Sequence, residues 1–305
     1  MSILVVGSVA LDSVETPFGK ANDVLGGSAT FFSASASHLA PVKVVGIVGN
    51  DYPFDDLKKT FANRKVDLSG IEHADGRSFR WRGHYRHDLN VAETLETHLG
   101  VFSNFAPKIP ESFRKTPYVF LGNIDPRLQL DVLRQVEKPK LVVCDTMNFW
   151  IESRRPDLIE LLKHVDAITL NDAEARQLTE NNNLVKAARW IMEKGPKFVI
   201  IKKGENGALM FTKKEVFLAP AYPLEEIFDP TGAGDSFAGG FMGYIAKTGD
   251  TSDANLRRAV IYGSVMGSFA VEQFSVKRLL SVNANEIAQR VNEFRRLVAF
   301  EDIPA

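Results

Sequence analysis

Asp229-Pro230-Thr231-Gly232-Ala233-Gly234-Asp235-Ser236-Phe237 is the stretch on which the reading of this chain turns. A glycine-rich turn opens directly into a helical pattern, Ala233–Lys247, with Phe237, Phe241, Tyr244 and Ile245 at helical spacing. The first amides of a helix have no partner inside it, and the helix dipole adds partial positive charge there, so such a turn can receive an anion. The oxygens of a transferring phosphoryl group suit it. Asp235 falls in the first helical turn, where a carboxylate can take the proton of an alcohol as the alcohol attacks phosphorus. An ordinary aspartate, with a pKa of about 3.9, is a weak base. The turn itself must then supply most of the lowering of the barrier.

Working outward, short apolar runs alternate with helical patterns. Strands are expected at Ile3–Val6, Val42–Val48, Tyr118–Leu121, Leu141–Cys144, Ala167–Leu170, Phe198–Ile201 and Ala208–Phe211. Helices are expected at Ser28–Leu39, after Gly26-Gly27, and at Pro53–Arg64. Such alternation marks an α/β fold with a mostly parallel sheet. Two stretches, Asp12–Val24 and Phe79–Glu96, lack intervening helices and alternate as strands with one polar face, which predicts a small antiparallel sheet beside the main body. Gly239, Gly240 and Gly243 weaken the Ala233 helix, and their use is close approach of another backbone. The next helix, Ala254–Val271, carries Val260, Gly263, Ser264 and Gly267 on one stripe, so the two are expected to pack tightly.

The totals exclude some classes. A net charge of -1 gives no basic face for nucleic acid. The longest nearly apolar stretch, Ala259 to Val271, is too short to cross a bilayer, so no membrane role is expected. A single cysteine, Cys144, lies in an apolar run and reads as a buried structural thiol of a reducing, cytoplasmic compartment. No basic leader precedes Ile3, and with no repeat or long linker the 305 residues read as one domain, 1–305, with insertions at about 12–25 and 75–100. The string after the first strand lacks G-x-G-x-x-G, and no Walker A string occurs, which excludes the dinucleotide-binding and P-loop readings.

The nine-residue string resembles the C-terminal signature of the ribokinase-like (PfkB) carbohydrate kinases. Other matching features stand in family order: Val6-Gly7 and Asp12, Gly26-Gly27, Asn171-Asp172-Ala173-Glu174, and Lys203-Gly204-Glu205-Asn206-Gly207. The resemblance implies a three-layer α/β/α sandwich with a small antiparallel β lid. It implies ATP-dependent phosphorylation of a hydroxyl on a small sugar or sugar-like acceptor, with Asp235 as base and Gly232, Ala233 and Gly234 as anion hole. Asp12, Gly26 and Gly27 would meet the acceptor; Asn171, Lys202, Gly204, Gly207 and Thr231 would border ATP; Glu174 would reach Mg²⁺ through water. Asp229 and Thr231 lie where some relatives bind K⁺, and the lid joins two subunits in many relatives, which implies a homodimer.

The chain departs from the pattern at Phe31, where many sugar-specific relatives carry an Asn that hydrogen-bonds the sugar. An aromatic ring there favours an acceptor with a flat or apolar part, such as a nucleoside. Lys202 stands where Thr is frequent. Arg80, Arg82, His84, Arg86 and His87 form the most basic cluster, and it would bind a phosphorylated acceptor if it faced the pocket. Asn123, Asp125, Asp145 and Asn148 follow strand ends, where ligands of open α/β sheets gather. Sugar, sugar phosphate and nucleoside all stay open as acceptors. The reading from another class is a non-catalytic nucleotide- or sugar-binding regulator.

Overall fold

Ile3-Leu4-Val5-Val6 is apolar at every position because both of its faces are covered. Ile3 and Val5 enter one core and Leu4 and Val6 the other. A strand with alternate side chains on opposite faces reads as a continuous apolar run when helices cover both sides. The computed structural model describes residues 1–299 and 301. Its strands are β1 (Ile3–Val6), β2 (Ala10–Thr16), β3 (Gly19–Gly26), β4 (Val42–Gly49), β5 (Val66–Ala74), β6 (Phe79–Tyr85) and β7 (Ala92–His98). They continue with β8 (Tyr118–Leu121), β9 (Leu141–Asp145), β10 (Ala167–Asn171), β11 (Phe198–Lys202), β12 (Ala208–Thr212) and β13 (Val216–Ala219).

Nine strands form one sheet in the order β13-β12-β11-β10-β9-β8-β1-β4-β5. Pairing is parallel from β11 to β5, and only β12 and β13 run antiparallel. Helices on both faces complete three layers, as expected. The small sheet has the order β3-β2-β6-β7. Each of its two hairpins is antiparallel, and the hairpins meet through a parallel β2–β6 pair.

The glycines of the helix Ala233–Thr248 divide their work between two partners. A Cβ on Gly240 would fall 2.5 Å from Tyr262 O, in the neighbouring helix Asp253–Ala270. One on Gly263 would fall 2.9 Å from Phe237 O, so these two glycines let the helices touch. Gly239 and Gly243 instead face the N-terminal helix Ser28–Ala36 and the turn after it, close to Phe32 O and Leu39. Ser35 donates to Ser236 O at 2.6 Å across that contact. The two helices that begin at Gly27 and Gly232 are thereby locked together, and their first turns share one crevice. No helix among the described residues is long and apolar enough to cross a membrane.

Candidate active site

Three neighbouring strand ends supply the charged floor of the crevice. Parallel register aligns Asn171 with Lys202, and Thr169 with Asp145, so β9, β10 and β11 deliver Asp145, Asn171 and Lys202 to one edge of the sheet. Lys202 Nζ donates to Asp145 Oδ2 at 3.0 Å, and both side chains are well buried. The same ammonium lies 2.9 Å from where a Cβ on Gly234 would stand. Lys202 therefore sits beside the glycine-rich turn. Burial alone would lower its pKa, but Asp145 and then Glu174 hold it raised. Gln129, which carries no motif in the sequence, donates to Leu121 O, Gly122 O and Asp145 O, and so fixes the ends of β8 and β9.

The turn itself is built by Gly232 in the left-handed region (φ 73), which starts the helix without a side-chain cap. The backbone N–H groups of Gly232, Gly234 and Asp235 find no acceptor among the described residues. Ala233 differs from the expectation: its N–H donates to Pro230 O at 3.2 Å, because the tight turn folds it back. The Asp235 carboxyl is pushed up to about 7, first by burial and then by the charge of Asp145, with Lys202 opposing. It is thus no ordinary aspartate, and a carboxylate with a pKa near neutrality is a far better base.

Asn171 and Glu174 form a capping box at the start of the helix Asp172–Thr179. Asn171 Oδ1 accepts from Glu174 N at 2.8 Å, and Glu174 Oε2 accepts from Asn171 N at 2.7 Å. Glu174 is raised to about 7, mainly by burial, with Lys202 lowering and Asp145 raising it. Asp145, Glu174 and Asp235 are three carboxyls against one ammonium. Among the described residues they do not converge as a ready-made ligand cluster, so a divalent cation beside Glu174 would keep most of its waters, as Mg²⁺ does. Gly204 (φ 52) and Gly207 (φ 80) shape the tight return from β11 to β12, where Lys203 N donates to Gly207 O at 2.7 Å.

The other side of the crevice belongs to the N-terminal elements. Asp12 Oδ2 accepts from Gly27 N at 3.3 Å. A side chain on Gly26 would run into the Asp12 carboxylate, and one on Gly27 (φ 91) would come within 2.5 Å of Ser8 O. Asp12 is raised to about 7 by burial, with the Gly27 amide opposing and Asp229 adding to the rise. The Phe31 ring lies over Gly232, so that a Cβ there would meet the ring. Asn123 is half-buried and its Oδ1 has no partner among the described residues.

The small sheet crosses both sides. Tyr85, at the end of β6, hydrogen-bonds through its hydroxyl with Thr231 Oγ1 at 3.2 Å. Asn90, in the β6–β7 turn, lies against Gly204. Register places Trp81 opposite Asp12 and Gly83 opposite Val14, so Trp81, Gly83 and Tyr85 share the face of Asp12. Arg80, Arg82 and His84 point the other way. Arg80 pairs with Asp51 at 2.5 Å, Arg82 with Glu96 at 3.3 Å and Arg86 with Glu93 at 3.1 Å, while His87 is exposed. The structure does not bring Arg82 to the crevice. Asn148 is exposed, and Asp125 caps the helix Pro126–Leu133 while binding Arg127. Asp229 is buried, with Oδ1 accepting from Thr231 N at 2.9 Å and Oδ2 from Ser275 N at 3.1 Å.

Residues 127–282 match the pfkB family carbohydrate kinase profile. A cytidine kinase of Thermococcus kodakarensis is 31% identical over 249 residues, which span 79% of this chain and 87% of the relative. The chain belongs to the pfkB family. It is an ATP-dependent kinase of a small sugar or sugar-like acceptor, the nucleoside included, and its family works with ATP and Mg²⁺. The aminoimidazole riboside kinase of Salmonella enterica, solved with its riboside and an ATP analogue, superposes with a TM-score of 0.76 at 19% identity, covering 95% of this chain and 100% of that one. An Escherichia coli protein solved with ATP and Mg²⁺ gives 0.78 at 19% identity, covering 96% and 99%. These two likenesses show the ribokinase fold in this pfkB chain.

Proposed function

We propose that this pfkB chain transfers the γ-phosphoryl group of ATP to the primary hydroxyl of a nucleoside, with Asp235 as the base. The observation that carries the reading is the pairing, in one helical turn, of unspent amides with a carboxyl raised to about 7. As the acceptor oxygen bonds to phosphorus, Asp235 takes its proton and the bond to the bridging oxygen of ADP breaks. The N–H groups of Gly232, Gly234 and Asp235 hold the phosphoryl oxygens, and Lys202 stands beside them as a fixed cation. Asn171 and Glu174 would hold Mg²⁺, Glu174 through water, and the ion supplies positive charge to the phosphates. Gly204 and Gly207 border the nucleotide.

Three observations support a nucleoside. The half-buried Trp81 and the buried Tyr85 bring aromatic rings to the face of Asp12, whereas Phe31 is closed into the core rather than open to an acceptor. The basic residues of β6 face away from Asp12, which speaks against a phosphorylated acceptor. The Thermococcus relative, matched over most of its length, is a cytidine kinase. Asp229 anchors the turn to the Ser275 segment with both of its oxygens, so K⁺ has no part in this reading. The small sheet acts as the lid that keeps water from the phosphoryl group. Its outer strand β7 is exposed throughout, and we assign that unpaired edge to a homodimer contact.

An acceptor screen tests the proposal. ATP consumption with Mg²⁺ is followed with cytidine, uridine, adenosine, ribose, fructose and ribose 5-phosphate. Turnover with a nucleoside is expected. Turnover confined to free or phosphorylated sugars would overturn the acceptor assignment, and ATP binding with no turnover would make the chain a regulatory binding protein.

A further inference from the structure

A polar cavity lies at the opposite pole of the sheet from the crevice. Asp145, Asn171 and Lys202 end β9, β10 and β11, whereas Pro41 and Lys65, which line this cavity, immediately precede β4 and β5. The Ser28–Ala36 helix runs from Gly27 in the crevice to Ser37 in the cavity wall, a span of roughly 14 Å. The cavity holds about 530 Å³, within the ordinary size of a small-molecule site. Lys59, Arg64 and Lys65 line it together with Ser37, His38 and Leu280, and no Asp or Glu does so among the described residues.

Arg64 is half-buried, and burial lowers its pKa with no carboxylate opposing. Its Nη2 donates to Leu280 O at 2.6 Å, and its Nη1 lies 3.3 Å from Ser37 Oγ and 3.0 Å from His38 Nε2. The contact with His38 is not satisfied as it stands, because His38 Nε2 also lies 2.6 Å from Leu279 O. A carbonyl oxygen only accepts, so it needs a proton on that nitrogen; a guanidinium only donates, so it needs the lone pair there instead. One nitrogen cannot serve both. The shorter contact places the proton toward Leu279 O, and Arg64 then faces a second donor. Its Nε and the other Nη2 hydrogen find no acceptor among the described residues either. A half-buried cation short of acceptors therefore lines the cavity. The carbonyl ends of three helices, capped at Ser37, Ala62 and Val282, come together at this pole and attract some positive charge. At about half a charge each, they offset only roughly half of three cations. Lys59 also pairs with Asp56 at 3.2 Å, but both side chains are well exposed and such a pair is weak.

We propose that this cavity is a second anion site, for a polyphosphate group such as that of a nucleoside triphosphate, with Arg64 as its anchor and the exposed Lys59 and Lys65 beside it. Phosphate oxygens would take the N–H groups that Arg64 cannot place, and one guanidinium with two ammonium groups matches several negative charges rather than one. The site goes beyond the phosphoryl-transfer reading and does not depend on which acceptor the crevice takes.

Titration calorimetry of the whole chain with inorganic tripolyphosphate, and separately with CTP, tests it. Two binding events are expected, one in the crevice and one in the cavity. The double reversal Lys59→Glu/Lys65→Glu should weaken one event about 10- to 100-fold and leave the other within about twofold. Lys202→Met should weaken only the event that the double reversal spares. Arg64→Lys keeps the charge but loses the planar fork, and should still weaken the cavity event about 10-fold. Arg64→Ala also strips a bond from Leu280 O and can unfold the chain, so the exposed lysines carry the test; their double reversal should keep Tm within about 2 °C of wild type. Equal cavity affinity for the two probes would make the phosphates the whole ligand, and tighter CTP would extend the ligand to the nucleotide; either supports the site. The proposal is overturned if no event responds to the lysine reversal, or if the reversal and Lys202→Met weaken the same event.

Discussion

Replacing Lys202 by Met tests how the charged floor of the crevice works. The ammonium lies 3.0 Å from Asp145 and also offsets Glu174 and Asp235. Removing one partner of a buried pair costs about 3–5 kcal/mol, because the other is left as an unpaired charge. Here the stranded groups are carboxylates, and they can escape that cost by binding protons. The loss should therefore be close to 3–5 kcal/mol at pH 9 and shrink to roughly 1–2 kcal/mol at pH 6, where protonation is easy. The same reasoning applies to catalysis. Asp235 must be ionised to act as base, so kcat/KM of wild type should fall with an acid limb near its value of about 7. Loss of a neighbouring opposite charge raises a carboxyl pKa by roughly one unit or more, so the limb should move to about 8. Thermal unfolding and kcat/KM, both measured from pH 5 to pH 9, read the two effects. A stability loss that does not change with pH, or an acid limb that stays where it was, would refute the shared field.

Other perturbations follow from the same geometry. The Asp235 carboxyl is raised from 3.8 to about 7, so the folded state keeps a proton between those pH values that the unfolded chain releases, and its contribution to stability falls as pH rises through that window. Asp235→Asn should then match wild type near pH 4 and gain up to about 4 kcal/mol at pH 8, measured by urea unfolding; an equal change at both pH values would contradict this. Tyr85→Phe removes a neutral hydrogen bond to Thr231, worth about 1 kcal/mol, and should lower kcat/KM about fivefold while leaving the Kd for ATP unchanged; a weaker ATP complex would argue against it. Exchanging K⁺ for tetramethylammonium should change kcat less than about twofold, since both Asp229 oxygens already accept N–H groups, and strict K⁺ dependence would show that the buried carboxylate recruits the ion.

Much of this is legible along the chain because it is local. The apolar run Ile3–Val6 announces a strand covered on both faces, and the glycine-rich turn before Asp235 announces a helix start with free amides. What stays hidden depends on distance in sequence. The base strength of Asp235 comes from burial and from Asp145, 90 positions earlier, a meeting created by the order of strand ends. Period-two alternation shows that Arg82 and Trp81 face opposite ways, but only the β2–β6 register shows which of them faces Asp12. Composition flags Gly239, Gly240 and Gly243 as contact glycines, yet two of the three serve the Ser28 helix rather than the next one. The Asn171–Glu174 spacing fits both a helix cap and a metal-side pair, and the structure shows the cap in full while leaving Glu174 raised beside Lys202.

One carboxylate at the start of a late helix, that of Asp235, is proposed to accept the acceptor's proton. Single-turnover phosphoryl transfer by Asp235→Asn, with the Kd for Mg·ATP measured on the same preparation, tests it most directly. The expected rate is lower by about 10²–10⁴, with nucleotide binding within about threefold of wild type. A rate within tenfold of wild type would contradict it.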